Sequence, residues 1–314
     1  MVTKETTNQL KGLAIFAVIF SHIGYFLYPG TNFLYPLSVA GGVGVNIFLF
    51  LSGFGLTVSR LANPYPLFSF YKKRLLKLFI PLWIVIAIFL LLDFFILQRL
   101  YPASEVINSF LGFYPRADLW QNLDSPLWYF SIILFYYLIF PLIFIKKISL
   151  ISPFLVLLSS LLLINFPLPI DPDVVKLYKL HFLAFPLGML SGLLTQKLKF
   201  KLHLFLKILI LVVSTLVFLY TAINSGVGQK PFTEQGISMI TTLSAIAIFS
   251  LLKFNFRLLS FFGIYSYEIY LFHWPILSRY NLFSGLPPFP VTLLSLILFM
   301  ILAYILQKII SSLT

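Results

Sequence analysis

There is no cysteine in the sequence, which excludes thiolate nucleophiles, zinc–thiolate sites and structural disulfides together. Charge is scarce as well. Asp, Glu, Lys and Arg make up only 10% of the 314 residues, where a water-soluble domain carries about 25%, so the chain cannot clothe itself in a polar surface. Acids are rarest, nine against 22 Lys and Arg. The net charge of +13 could point to nucleic acid, but the basic residues lie between apolar runs rather than on a soluble face, and no nucleic-acid partner is expected. A fixed-period repeat and an inverted pair of broken helices are also missing, which weakens a secondary-transporter reading. No segment is long enough to fold alone in water. The longest polar stretch, about 98–125, holds Tyr101, Tyr114 and Trp120 and would at most cap an outward-facing cavity.

What is abundant is apolar: 60% hydrophobic residues, with 36 Phe and 17 Tyr. Much of such an exterior must meet lipid. Backbone polar groups inside a bilayer need internal partners, so the expected fold is an all-α, polytopic membrane helix bundle. Spans of roughly 20 residues are marked at 9–28, 39–60, 75–97, 126–146, 150–166, 177–195, 203–222, 235–252, 257–279 and 289–311. Ten crossings put both termini on one side. With that side cytoplasmic, only six of the 22 basic residues fall outside: Arg99, Arg116, Lys176, Lys179, Lys230 and Arg279. This is the direction of the positive-inside rule. The first apolar run is long, carries a histidine and lacks a cleavage site, so no signal peptide is expected. One transmembrane domain over 1–314, in the cell membrane and without an appended soluble domain, is the expected organisation.

Ionisable groups inside spans are costly and are read by default as functional. Lys11 and His22 share the first span. Eleven residues at 100° leave them about 20° apart on one helix face and about 16 Å apart along the axis. The blander reading is an interfacial lysine that snorkels and a histidine bonded to a neighbouring helix. Asn46 and His273 stand at a depth like that of His22 in other spans, which points to a shared cavity; a structural His–Asn hydrogen bond is the alternative. Pro275 should loosen the helix just beyond His273 and free a carbonyl. Glu268 lies off the face of His273, either as a proton partner or as a neutral, hydrogen-bonded acid. Asp93, near the outer end of the third span, reads as interfacial. No metal is expected.

On the inner side runs Tyr71-Lys72-Lys73-Arg74-Leu75-Leu76-Lys77. Arg74 and Lys77 are one helical turn apart, suited to clamping a phosphate, although such runs also touch anionic headgroups. Glycines at 41, 42, 44, 53 and 55 allow close helix approach.

Five ordered segments resemble the acyltransferase 3 family of membrane acyltransferases. They are Lys11 to His22; Gly42-Val43-Gly44-Val45-Asn46 through Ser52-Gly53-Phe54; Tyr71 to Pro81 with Arg74 and Lys77; Leu127-Trp128-Tyr129-Phe130-Ser131 with Tyr137 and Pro141; and Gly263-Ile264-Tyr265-Ser266-Tyr267-Glu268-Ile269-Tyr270-Leu271-Phe272-His273-Trp274-Pro275. The resemblance implies a body of about ten helices that moves an acyl group, often acetyl, from cytoplasmic acyl-CoA to a sugar or other acceptor. It also implies His22 as the leading catalytic residue, supported by His273, Asn46 and Glu268. Lys11, Arg74, Lys77 and Lys73 would hold the donor, acetyl-CoA by resemblance.

Two departures matter. Where many members carry a glutamate after the tryptophan of the fourth segment, this chain has Ile132 and Ile133, and Lys11 replaces an arginine. The expected partners are membrane lipid and a glycan or lipid-linked acceptor. Alternatively, the acyl group passes to a partner acyltransferase or a second copy. The rival readings are a non-enzymatic carrier or flippase for a glycan or lipid-linked precursor, and a sensor or scaffold.

Overall fold

A computed structural model describes residues 2–28, 41–63, 65–116, 126–146, 149–197, 203–224, 231–252, 255–280, 282–283 and 285–313. Trp120 and Lys230 lie outside these. The described residues contain helices and no strand: α1 (Lys4–His22), α2 (Gly41–Ala62), α3 (Leu67–Leu97), α4 (Ala103–Leu111), α5 (Trp128–Ile143), α6 (Ser152–Asn165), α7 (Pro172–His181), α8 (Ala184–Lys197), α9 (Leu204–Asn224), α10 (Pro231–Leu252), α11 (Arg257–Ile264), α12 (Ser266–Pro275) and α13 (Pro288–Leu313). Two stretches, Ile23–Leu27 and Ile276–Tyr280, wind as π-helix. Among the described residues six helical segments are long and apolar enough to cross a membrane: α2, α3, α7 with α8, α9, α10 and α13. The apolar α5 and α6 are shorter, at 16 and 14 residues. The ninth expected span is broken at Tyr265 into α11 and α12.

The chain divides into two compact units. The first comprises 1–64, 145–164 and 177–266. Its helices are drawn together by reciprocal glycine contacts. A Cβ on Gly53 of α2 would collide with the Phe185 carbonyl of α8, and one on Gly188 of α8 with the Phe50 carbonyl of α2. In the same way Gly12 of α1 faces Leu259 of α11, while Gly263 of α11 faces Asn8 of α1. In lipid, where apolar surface gains little by leaving the solvent, such backbone-to-backbone packing drives helix association. Thr3 caps α1 by accepting from the Thr6 amide at 3.1 Å, and Glu5 accepts from the Ser260 hydroxyl on α11. Around this frame Leu10, Ala14, Ile47, Phe50 and Ala245 form a buried core. The outer surface of α9 is Leu, Ile, Val and Phe, exposed as lipid-facing side chains should be.

The second unit comprises 65–144, 165–176 and 267–314. Here α3 is the long axis. It ends where Gln98 adopts a left-handed conformation, φ 52°. The short α4 folds back so that the Trp83 indole donates to the Phe110 carbonyl at 2.8 Å; sequence reading left this stretch as loop. Both α3 and α5 contain a proline, Pro81 and Pro141. Each lacks an amide and loosens the preceding turn, and each turn is patched alike. The Tyr267 hydroxyl donates to the Leu78 carbonyl at 2.7 Å, and the Tyr71 hydroxyl to the Leu138 carbonyl at 2.8 Å. In both cases the acceptor lies three residues before the proline. The missing amide itself strips the carbonyl four residues back, so each tyrosine bonds the next carbonyl of the loosened turn and not the stripped one.

Candidate active site

In the first unit, α1 presents Lys11 and His22, both half-buried. His22 is the last residue of α1, and the π-turn begins at the next position. Such widened turns recur at functional sites because they re-aim the side chains beside them. The neighbouring Ser21 faces the start of α2, where a Cβ on Gly41 would come within 2.8 Å of its hydroxyl oxygen.

Asn46 is fully buried on α2. Its side-chain amide donates to the Ser238 hydroxyl of α10 at 2.8 Å, and its carbonyl oxygen lies 2.8 Å from Nδ1 of His181 on α7. With the amide nitrogen turned to Ser238, Oδ1 can only accept, so the proton sits on His181 Nδ1 and Nε2 is the basic nitrogen. His181 and Ser238 are 3% and 5% exposed. Gly42, one turn before Asn46, leaves room for this arrangement: its Cβ position is 3.5 Å from the His181 ring and 3.6 Å from the Ser238 hydroxyl. Depth in the membrane grouped Asn46 with other histidines, yet its bonds go to His181 and Ser238. Sequence reading missed both. His181 closes a charged helix with Asp173, Lys176 and Lys179, and Ser238 is one of several small polar residues on α10, with Thr233, Thr241, Thr242 and Ser244, so nothing singles it out.

In the second unit, one face of α3 reads Arg74, Leu78, Leu82, Val85, Phe89 and Asp93, at steps of three and four. Nineteen residues span about 28 Å, close to the hydrocarbon thickness of about 30 Å. Toward the N-terminal end of this face Arg74 is half-buried with its guanidinium 6.0 Å from the Tyr137 ring of α5. Lys73 and Lys77 are exposed beside it. Toward the C-terminal end Asp93 has no exposed surface. It forms an ion pair with Arg279 and accepts from the hydroxyls of Tyr101 at 2.6 Å and Tyr280 at 2.5 Å. An unpaired carboxylate would not be tolerated in such a buried place, and the arginine and two phenols supply its partners. Burial, with the bond to Asp93, pushes the Tyr101 phenol up to about 12.

His273 of α12 is fully buried. Its Nδ1 donates to the Tyr270 carbonyl at 2.7 Å. The neutral ring then offers only an acceptor at Nε2, which suits a proton acceptor and not an oxyanion donor. Beyond it Pro275 is followed by the second π-turn, the loosening that the proline predicts. Glu268 is 8% exposed and accepts from the Gln307 amide at 3.2 Å. The third, fourth and fifth segments of the resemblance also meet in this unit. Tyr129 and Tyr270 pack edge to face at 5.5 Å, and the Tyr270 hydroxyl donates to the Pro126 carbonyl at 3.3 Å. No group of His, Asp and Glu able to hold a metal occurs among the described residues.

The acyltransferase 3 family model, described as an acyltransferase domain, matches residues 7–308. The chain belongs to this family. It is thus an enzyme, a membrane acyltransferase. No curated protein and no solved structure matches the acyltransferase.

Proposed function

We propose that this acyltransferase moves a short acyl group, acetyl by resemblance, from cytoplasmic acyl-CoA to a hydroxyl of a cell-envelope glycan or lipid, in the cell membrane. His22 is the general base. The acceptor oxygen attacks the thioester carbonyl carbon as His22 takes the hydroxyl proton. The tetrahedral oxyanion collapses, the carbon–sulfur bond breaks, and CoA leaves as the thiol with that proton. The covalent route, in which the imidazole carries the acyl group between donor and acceptor, uses the same residue.

One observation carries this choice. Of four histidines, His181 and His273 are buried and hydrogen-bonded, and His203 opens α9 on an exposed turn, whereas His22 lies in a span yet keeps accessible surface. A base must be reached by its substrate. Arg74, with Lys73 and Lys77 on the same turn, takes the donor phosphates, and Lys11 supplies further positive charge. Asn46 serves as a positioning residue through His181, His273 as a buried positioning residue, and Glu268 as a buried acid bonded to Gln307.

Ten crossings with both ends cytoplasmic remain the proposed topology. It is supported by the apolar α5 and α6, and by the pairing of Asp93 with Arg279, two residues assigned to outer span ends. One catalytic domain over 1–314 is supported by the extent of the family match. The acceptor arrives from the membrane or from a partner acyltransferase or second copy.

The test is mass spectrometry of envelope glycans and lipids from cells with the gene, without it, and with His22→Ala. An ester present only with the wild-type gene is expected, with the variant inserted at normal levels. An ester retained in His22→Ala cells contradicts the assignment. A carrier predicts transport without acyl-CoA consumption and a mild effect of Arg74→Ala.

A further inference from the structure

Midway along the α3 face lies a small apolar cavity lined wholly by residues of the second unit. Leu82, Val85 and Phe89 of α3 form one wall, Leu127 the start of α5, and Leu271 and Trp274 of α12 the opposite wall. These side chains are all 9% exposed or less. Tyr270, one turn before His273, gives the lining its single hydroxyl. The free space is about 10 Å³, room for the centre of one water-sized group. With an apolar lining, a methyl group suits it better than water does.

The position of the cavity is as informative as its size. Val85 stands eleven residues beyond Arg74, about 20° away around the helix and about 16 Å along it. An extended pantetheine arm whose phosphate end rests at Arg74 covers a distance of that order. The same interval separates Lys11 from His22 in the sequence. The far wall is also fixed. The Phe89 ring stacks on Tyr280 at 6.1 Å and has the Arg279 guanidinium 5.6 Å from its centroid. Arg279 is in turn held by Asp93, so the wall cannot yield without disturbing a buried ion pair.

We propose that this cavity is the acyl subsite, receiving the acyl group of the donor thioester, with Val85, Leu271 and Trp274 limiting the chain it admits to acetyl length. The proposal rests on the reading of acyl-CoA as the donor. It assigns a specificity role to Val85, which lies outside the five segments, and to Leu271 and Trp274 of the fifth.

The test is equilibrium binding of CoA, acetyl-CoA, butyryl-CoA and hexanoyl-CoA to the purified, detergent-solubilised full chain. A close-fitting apolar wall discriminates a single methylene by roughly tenfold or more, so acetyl-CoA is expected to bind at least tenfold tighter than butyryl-CoA. Val85→Ala and Leu271→Ala open the cavity from opposite walls and are expected to bring the two ligands within about threefold. Val85→Leu fills it and is expected to erase the preference of acetyl-CoA over CoA. These three variants can be checked independently for monodispersity, so misfolding of one leaves the others to decide. If the wild type binds butyryl-CoA as well as acetyl-CoA, or the opened variants keep the wild-type preference, the acyl subsite lies elsewhere. A chain that binds no CoA compound, or binds them equally well after Arg74→Ala, overturns the donor reading itself and the subsite with it.

Discussion

In the first unit the buried polar groups described above are neutral and taken from three helices: an amide on α2, an imidazole on α7 and a hydroxyl on α10. In the second they include a full ion pair, Asp93 with Arg279, flanked by two phenols. A neutral network costs little to bury once its bonds are made, and it fixes direction: Asn46 decides which nitrogen of His181 carries the proton. An ion pair costs several kcal/mol per charge to desolvate and recovers this only with good geometry. The difference fits orientation of a buried imidazole in one unit and the tying down of a helix end in the other.

Breaking the ion pair should have the largest effect. Asp93→Ala leaves the Arg279 charge buried without its counterion and is expected to destabilise by about 3–5 kcal/mol, read as a lowered unfolding midpoint in detergent. Asp93→Leu with Arg279→Met should recover most of it, because no charge is then left behind. Should the double variant be as unstable as the single one, closure by charge compensation is the wrong description. Next comes Asn46→Ala, which strands the His181 and Ser238 polar atoms and is expected to cost about 1–3 kcal/mol. The comparison sharpens if acylation falls further than this loss of folded protein explains, since a purely structural amide would lower both together.

The smallest effect concerns pH. The phenol of Tyr101 is raised from 10 to about 12, first by burial and then by its bond to Asp93. The folded state therefore holds this proton more tightly than the unfolded chain does. The stabilisation is complete below pH 10 and is lost as pH rises through about 12. Tyr101→Phe should flatten that part of the stability profile, and an unchanged slope would show that the phenol is not the group responsible.

Helices, prolines and packing glycines were legible because each follows from local rules: apolar length, a missing amide, a missing Cβ. Gly53 sits where close approach was expected, whereas Gly12 was not among the glycines singled out, and Arg74 stands near the start of α3 beside Tyr137 of the next family segment. What could not be read was azimuth. Depth along a span fixes one coordinate of Asn46; which helices its amide faces depends on how each is rotated, and no periodicity in α2 states that. The same limit hid the partnership of Asp93 with Arg279, residues 186 positions apart. His181 escaped notice for another reason: it sits near the start of the 177–195 span, close to Lys176 and Lys179, so a histidine there looks interfacial. Pro275 did announce the loosened turn after His273, yet the π-turn directly after His22 has no proline to signal it.

The most direct test of His22 as the base is radiolabelled acetyl-CoA supplied to membranes containing wild type, His22→Ala or Arg74→Ala at matched protein levels, following both bound donor and ester formed. The account predicts that His22→Ala still binds acetyl-CoA but makes no ester, while Arg74→Ala loses binding. Ester formed by His22→Ala at the wild-type rate would contradict it.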